Sequence, residues 1–337
     1  MQIRKPEMFK LAEKGGERKL WKQILIFIVV FFMTQIFIGI VGGFPLAVMQ
    51  DKEMLASGID GSNIEATQEI ANRIMESREG MYIQLFATLV GSIAVILWTR
   101  FNEKRSLRSI GFQRKNALRD YAIGMLVGLV MFSLVVGLNF LTGSMTIETA
   151  TENLNLTGLR FIAIFFIGFL FQGAFEEILL RGYFMVNIGA KHKTMTALII
   201  SSIAFAVMHG ANPGISMLAL VNLALIGVFF GLYIICFNNI WGACAIHSIW
   251  NFVQGHLYGI SVSGMKVHES IFLSTSVPGK EFINGGAFGA EGGIATTIVT
   301  ILSIALLLLY MKKTGCLENN STKETAKSES IESVETV

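Results

Sequence analysis

The sequence predicts an all-α fold, a polytopic membrane helix bundle of about eight transmembrane helices. The first observation is compositional, because hydrophobic residues make up 53% of the 337 residues and charged residues only 15%. The second is the recurrence of apolar runs close to the roughly 20 residues that a helix needs to cross the hydrocarbon of a bilayer. Eight such spans are predicted, at residues 23–48, 81–99, 121–141, 161–188, 194–209, 216–237, 240–258 and 293–311.

Basic residues give these spans an orientation. An even number of spans places both termini on one side. Lys and Arg cluster before the first span, in residues 100–119, at residues 191–193 and after the last span, and all four clusters fall on that side. The positive-inside rule makes this side cytoplasmic. We therefore expect a multi-pass protein of the cell membrane with both termini in the cytoplasm, whose net charge of +3 reflects topology and not a nucleic-acid partner.

The chain divides into four parts on this basis. Residues 1–22 form a basic cytoplasmic segment, 23–160 the first three transmembrane helices with their loops, and 161–311 a transmembrane core that carries the ionisable residues. Residues 312–337, rich in Ser, Thr, Lys and Glu, are predicted to be a disordered cytoplasmic tail. Residues 51–80 are predicted to be an external polar loop that holds a short amphipathic helix on the outer surface.

Ionisable side chains at membrane depth are costly, about 2.5–3.5 kcal/mol each at a helix centre on insertion scales, and so indicate function. Glu177 and Arg181 are spaced i,i+4 and can form an ion pair on one helix face. Glu176 is rotated about 100° from Glu177 and remains free to face a cavity. His209 and His247 lie on two later spans at overlapping depths, so the spans can bring them near Glu176.

This set suits hydrolysis of an amide by water. Glu176 would accept a proton from water, and His209 would hold that water or pass the proton to the leaving amine. His247 and Asn251, also i,i+4, would stabilise the oxyanion. Taken singly, each feature has a structural interpretation: an i,i+4 Glu–Arg pair commonly stabilises a helix, a buried His can bond between helices, and Phe205 is a packing residue.

Three motifs on three successive spans resemble a known family. Glu-Glu-x-x-x-Arg (176–181), Phe-x-x-x-His (205–209) and His-x-x-x-Asn (247–251) are similar, in this order, to the CPBP family, which includes CAAX-type prenyl-protein endopeptidases and the Abi bacteriocin-processing or immunity proteins. The resemblance covers about residues 161–311. It implies a helical intramembrane endopeptidase in which Glu176 is the base, His209 positions water, and His247 and Asn251 stabilise the oxyanion, with Glu177 and Arg181 in support.

Some alternatives remain open at this point. We favour a mechanism without a cofactor, and the alternative is a zinc site formed by Glu176, His209 and His247. The expected partner is a membrane-associated peptide or protein substrate in the lipid bilayer, and the sequence does not indicate an oligomeric state. A non-catalytic immunity or scaffold protein of the same fold is the second candidate function. A proton-coupled transporter is the third, because buried Glu and His also build proton relays.

Overall fold

The computed structural model describes residues 2–13 and 18–318. Most of the tail predicted to be disordered, residues 319–337, lies outside these described residues. The α-helices are α1 (Glu7–Leu11), α2 (Leu20–Ser57), α3 (Ile64–Glu76), α4 (Arg78–Leu97), α5 (Leu107–Ile110), α6 (Ala117–Leu141), α7 (Leu156–Glu177), α8 (Val186–Lys191), α9 (Thr194–Met208), α10 (Met217–Phe237), α11 (Trp241–Phe252), α12 (Glu281–Asn284) and α13 (Ile294–Lys313). The strands are β1 (Gln2–Ile3), β2 (Met145–Thr149), β3 (Phe272–Ser276) and β4 (Leu317–Glu318).

Shorter helical turns extend several of these helices. The π-helical segments are Trp98–Asn102, which continues α4, Ile178–Met185, which joins α7 to α8, and Val253–Leu257, which continues α11. The 3₁₀ segments are Thr151–Asn153, Gly286–Phe288 and Ala290–Gly292. The four short strands form two antiparallel pairs, β1 with β4 and β2 with β3. The expected all-α fold is confirmed.

In the described part of the chain, six helices are long and apolar enough to cross a membrane, so the protein is a multi-pass membrane protein. They are Leu20–Ser57, Arg78–Asn102, Ala117–Leu141, Leu156–Lys191, Met217–Phe237 and Ile294–Lys313. The other two predicted spans correspond to α9, which is apolar but has only 15 residues, and to α11 with its π-helical extension. The number of spans, eight, therefore remains a prediction.

The two described ends of the chain meet at one end of the bundle. Ile3 pairs with Leu317 in the antiparallel β1–β4 ladder. The loop between α4 and α6 reaches the same end, because the backbone N–H of Ile240 donates to the carbonyl of Gly111, 3.0 Å away, and the N–H of Met8 donates to Asn238 Oδ1. We call this the terminal end.

Arg105 fixes the loop at the terminal end in place. Its side chain is only 2% exposed and donates to Asn187 Oδ1 (2.6 Å) and to the carbonyls of Ser109 and Gly182. Burial lowers the pKa of Arg105 to about 10, so the guanidinium is still charged at neutral pH. From the sequence, Arg105 was only one of the basic residues of the 100–119 loop that orient the spans. Its fork of donors satisfies several carbonyl and amide oxygens at once, which allows its burial.

The loops at the opposite end contact one another as well. Strand β2 pairs with β3 from Met145↔Ser276 to Thr149↔Phe272. Arg78 and Glu269 form an ion pair of 2.9 Å across this end, and Asn212 Nδ2 donates to the carbonyl of Ser263. We call this the loop end. The helical segments therefore run between two ends, in the alternating order that the sequence predicts.

Residues 51–80 are more helical than the predicted external loop. Helix α2 continues to Ser57, and α3 begins at Ile64 after the cap residue Asn63, whose side chain accepts from the N–H of Ala66. Ile70 and Ile74 of α3 are buried in the protein. The predicted amphipathic helix thus packs its apolar face against the bundle and does not rest it on the outer membrane surface, where the sequence pattern places it.

Glycines let the core helices approach closely. A Cβ atom added at Gly173 of α7 would lie 2.5 Å from Ser248 Oγ and 2.7 Å from the Ser248 nitrogen, on α11. A Cβ at Gly128 of α6 would lie 2.6 Å from the Ile246 carbonyl, also on α11. Helix α11 is therefore held tightly between α6 and α7. Its His247 faces the end of α7, where the two glutamates lie.

Candidate active site

Glu177 is the centre of a fully buried ionic cluster. It is the last residue of α7, and its Oε1 accepts from Arg181 Nη1 at 2.8 Å and from His247 Nδ1 at 2.9 Å. Both Glu177 and Arg181 are 0% exposed. Arg181 also lies over the ring of Phe205, with its guanidinium carbon 4.5 Å from the ring centre, and 5.3 Å from that of Phe230. Arg181 thus links the end of α7 to rings of α9 and α10, and Glu177 links it to α11 through His247.

Glu176 has one fixed and one free carboxyl oxygen. Gln172, one turn earlier on α7, donates from Nε2 to Glu176 Oε1 at 2.6 Å. Gln172 is itself held, because Asn251 Nδ2 donates to its Oε1 at 2.8 Å. Glu176 Oε2 is buried and has no hydrogen-bond partner in the described part of the protein. Two side chains thus orient the carboxyl group and leave Oε2 facing the remaining space.

That free oxygen faces two histidine nitrogens. It lies 3.9 Å from His209 Nε2 and 3.8 Å from His247 Nε2. His209 Nδ1 is 2.9 Å from the carbonyl of Phe205, which can only accept, so we assign the proton of that ring to Nδ1. The same reasoning places a proton on His247 Nδ1, next to the Glu177 carboxyl group. In their neutral forms both rings therefore direct a lone pair on Nε2 toward Glu176.

These groups line a cavity of about 190 Å³. Its walls are mostly apolar, with Phe169, Leu223 and Ile226 among them. Glu291, from the 3₁₀ turn before α13, forms part of the far wall. Its carboxyl oxygens accept from Trp250 Nε1 and from the N–H and hydroxyl of Ser263.

The structure brings together most of the residues that the motifs indicate. His209 and His247 each lie within 4 Å of Glu176, and Glu177, Arg181 and Phe205 form the buried cluster next to them. Asn251 also lines the cavity, but its amide bonds Gln172, and His247 Nδ1 bonds Glu177. Asn251 and His247 therefore have fewer free hydrogen-bond donors for a substrate oxygen than their i,i+4 spacing suggested.

Two residues of this site, Gln172 and Glu291, were not predicted from the sequence. Gln172 could have been found, because it precedes Glu176 by four residues on the same helix face. Glu291 carried no local signal. It lies in a glycine-rich turn, and only the fold places it beside Trp250 and Ser263, which are distant in sequence.

The predicted alternative zinc ligands can be compared with the geometry of a zinc site. Ligand atoms on a tetrahedral zinc ion, with bonds of about 2.0–2.1 Å, lie about 3.3 Å apart. The two distances from Glu176 Oε2 to the histidine nitrogens are longer, at 3.8 and 3.9 Å. Among the described residues no group of three or more His, Cys, Asp or Glu side chains has a metal-binding arrangement.

Comparison with known proteins agrees with the motifs. Residues 158–253, less than a third of the chain, match the family model described as type II CAAX prenyl endopeptidase Rce1-like. The resemblance to CAAX-type proteases is confirmed. The match begins in α7 and ends at the end of α11, so it contains all three motifs of this CAAX-protease-like core. No curated protein and no solved structure matches the chain. The match supports a general role as an intramembrane endopeptidase that acts on membrane-associated substrates.

Proposed function

We propose that this protein is an intramembrane endopeptidase that hydrolyses a peptide bond with water activated by Glu176. The observation that carries the proposal is the free Glu176 Oε2, which is buried at the cavity wall and faces the Nε2 atoms of His209 and His247. A carboxylate within reach of water and of a second proton carrier is the arrangement that general acid–base catalysis needs. Gln172 holds the other oxygen and so fixes the direction of the base.

The reaction proceeds in two proton transfers. Water between Glu176 and His209 gives its proton to Glu176 Oε2, while its oxygen forms a bond to the carbonyl carbon of the substrate. The tetrahedral intermediate then breaks its carbon–nitrogen bond, and the proton passes from Glu176, directly or through His209, to the leaving amine. One water is consumed, and a carboxylic acid and an amine are formed.

Two side chains stabilise the oxyanion in this scheme. Asn251 uses one amide hydrogen for Gln172 and keeps the second for the substrate oxygen. His247 donates from Nε2 in its doubly protonated form, whose charge lies beside Glu177. Oxyanion donors typically contribute about 10²–10³-fold in rate. Glu177 and Arg181 hold His247 in place and do not touch the substrate.

The test is cleavage of a membrane-peptide library by the purified protein. Glu176→Gln should lower kcat by about 10³-fold or more and leave thermal stability almost unchanged, because the amide keeps the shape of the side chain but cannot accept the proton. Activity should survive exhaustive treatment with a chelator. Cleavage by Glu176→Gln at the wild-type rate would refute the assignment of the base. If a chelator abolished activity and added zinc restored it, Glu176, His209 and His247 would have to be assigned as zinc ligands instead.

A further inference from the structure

A second cavity lies at the terminal end of the molecule, away from the candidate active site. Its volume is about 620 Å³, and it shares no lining residue with the cavity around Glu176 among the residues that the structure describes. Its walls come from Ile96 near the end of α4, from Trp241 at the start of α11, and from the loop that contains α5. The loop residues are Ser106, Leu107, Arg108, Phe112 and Arg114. We call this cavity the arginine groove.

Contacts within the protein give the arginine groove its shape. The indole N–H of Trp241 donates to the carbonyl of Gln113 at 2.7 Å, and the Trp241 ring centre lies 5.1 Å from that of Phe112. The carbonyl of Gly111 accepts from the first backbone N–H before α11, and the buried Arg105 fixes the start of the loop. The loop and α11 are therefore joined along the aromatic wall of the groove before any ligand binds.

Two cations line the arginine groove without a partner. Arg108 and Arg114 are both exposed, and neither side chain forms an ion pair or a hydrogen bond within the described residues. The acidic residues on either side of them in the sequence, Glu103 and Asp120, are already paired with other arginines. No Asp or Glu of the described chain lines the groove. The groove thus presents two uncompensated positive charges beside an apolar wall, which favours an anionic and partly apolar ligand.

Tryptophans mark the level of the membrane surface at this end. Three of the four Trp residues lie here: Trp21 in the first turn of α2, Trp98 directly after α4, and Trp241 at the start of α11. Trp is enriched where the hydrocarbon of a bilayer meets water. Because Trp241 is part of its wall, the arginine groove lies at the depth where lipid headgroups and the first carbons of acyl chains are found. The positive-inside rule makes this end cytoplasmic, and the cytoplasmic leaflet carries anionic lipids.

We propose that the arginine groove binds an anionic phospholipid, with the lipid phosphate on Arg108 and Arg114 and one acyl chain along the apolar wall. Arginine pairs with phosphate through two parallel hydrogen bonds, and basic pockets between transmembrane helices bind anionic headgroups. The bound lipid holds the 100–119 loop against the first turn of α11, the helix that carries two of the candidate catalytic residues. The site is separate from the cavity around Glu176, so it does not depend on the proposed hydrolysis.

The test is thermal unfolding of the purified full-length protein in detergent with added lipid. The probes are phosphatidylglycerol and phosphatidylcholine with the same acyl chains. Phosphatidylglycerol should raise the melting temperature in a saturable way, because it binds only the folded protein, and phosphatidylcholine should not. The double variant Arg108→Gln/Arg114→Gln should bind phosphatidylglycerol at least tenfold more weakly, since each basic residue near an anionic lipid contributes about fivefold in affinity. Without lipid it should unfold at nearly the wild-type temperature, because the two side chains make no contacts that folding needs.

The matched control is Arg100→Gln/Lys115→Gln, which removes the same charge from the same loop but from residues that do not line the groove. This variant should bind phosphatidylglycerol as the wild type does. Equal weakening in the two variants, equal effects of the two lipids, or no effect of phosphatidylglycerol on the wild type would overturn the proposal. It would also be overturned if sn-glycerol 3-phosphate, which has no acyl chain, reproduced the effect at the same concentration. Binding seen only after deletion of residues 319–337, which hold four Glu and two Lys, would assign the groove to that segment instead.

Discussion

At the scale of single residues, the direction of the Glu176 carboxyl group depends on Gln172. The hydrogen bond from Gln172 Nε2 holds Oε1, and Asn251 holds Gln172, so base and oxyanion donor are joined by one amide. A hydrogen bond to a charged group contributes about 1.5–3 kcal/mol. Gln172 therefore acts through Glu176 and Asn251, as a positioning residue.

We expect Gln172→Leu to lower kcat by about 10–100-fold with a smaller change in KM, because Glu176 loses its orientation while the cavity keeps its volume. The measurement is steady-state cleavage together with thermal unfolding. Gln84→Leu is the matched control, since Gln84 lines the same cavity but donates only to backbone carbonyls. Equal losses of kcat in the two variants would contradict a specific role for Gln172.

Glu177 has a structural role, in contrast to Glu176, because its carboxyl group neutralises the buried cation of Arg181. Removing one partner of such a pair costs about 3–5 kcal/mol. Glu177→Gln should therefore lower the melting temperature clearly more than Glu176→Gln does, which thermal unfolding in detergent would measure. If Glu176→Gln were the less stable of the two, the structural and chemical roles of the two glutamates would have to be exchanged.

How much of the site the sequence could predict depends on how local each contact is. The Glu177–Arg181 pair follows from i,i+4 spacing and appears in the structure at 2.8 Å. The hydrogen bond from His247 to Glu177 joins residues 70 apart, so only the packing of α11 against α7 reveals it. The same holds for Glu291. The roles of Glu176, His209, His247 and Asn251 in catalysis remain predictions.

At the scale of helices, the close contact of α7 with α11 sets the position of His247. Gly173 makes this contact one turn before Glu177. A Cβ there would meet the Ser248 hydroxyl oxygen at 2.5 Å and also the Ser248 nitrogen and Cα at 2.7 and 2.9 Å, and these backbone atoms cannot move aside like a flexible side chain. A β-carbon at this position would force the two helices apart. His247 would then move away from both glutamates.

Gly173→Ala should accordingly lower the free energy of unfolding by about 1–3 kcal/mol, in spite of the better helix propensity of Ala, and should lower cleavage. The control is Gly137→Ala on α6, where an added Cβ meets no atom within 4 Å. That variant should be neutral or slightly more stable. The two variants can be compared by thermal unfolding and by cleavage rate, and an equal response would show that the α7–α11 contact is not tight.

The limits of the helices show where sequence patterns are less informative. The predicted first span ended with the apolar run at residue 48, whereas α2 continues to Ser57. Residues 51–56 include Lys, Glu, Met, Leu and Ala, which are good helix formers, so the helix continues into polar sequence. Hydropathy reports where a helix leaves the hydrocarbon and gives little information about where it ends. The contact of Ile70 and Ile74 with the bundle was likewise not readable from their spacing alone.

At the scale of the whole molecule, the alternating order of helices was predictable from apolar runs and basic loops. The meeting of β1 with β4 places both described ends together, as an even number of crossings requires. Which helices touch was not predictable, because the close approaches occur at glycines such as Gly128 and Gly173, which have no pattern of their own in the sequence. Orientation in the membrane follows from charge alone and remains a prediction.

This orientation can be tested with reporters at the two ends of the bundle. A fluorescent protein that matures only in the cytoplasm, fused after Val337, should fluoresce, because the basic clusters retain the terminal end in the cytoplasm. Alkaline phosphatase, which is active only on the external side of the membrane, should be active when inserted after Gly279. This glycine lies in a loop-end turn with φ +81°, and a Cβ added there would have no atom within 4 Å, so the turn has room for an insertion. A phosphatase fused after Val337 should be inactive, and a fluorescent protein inserted after Gly279 should not fluoresce. An active phosphatase at Val337 together with a fluorescent insertion at Gly279 would show that the protein has the opposite orientation in the membrane.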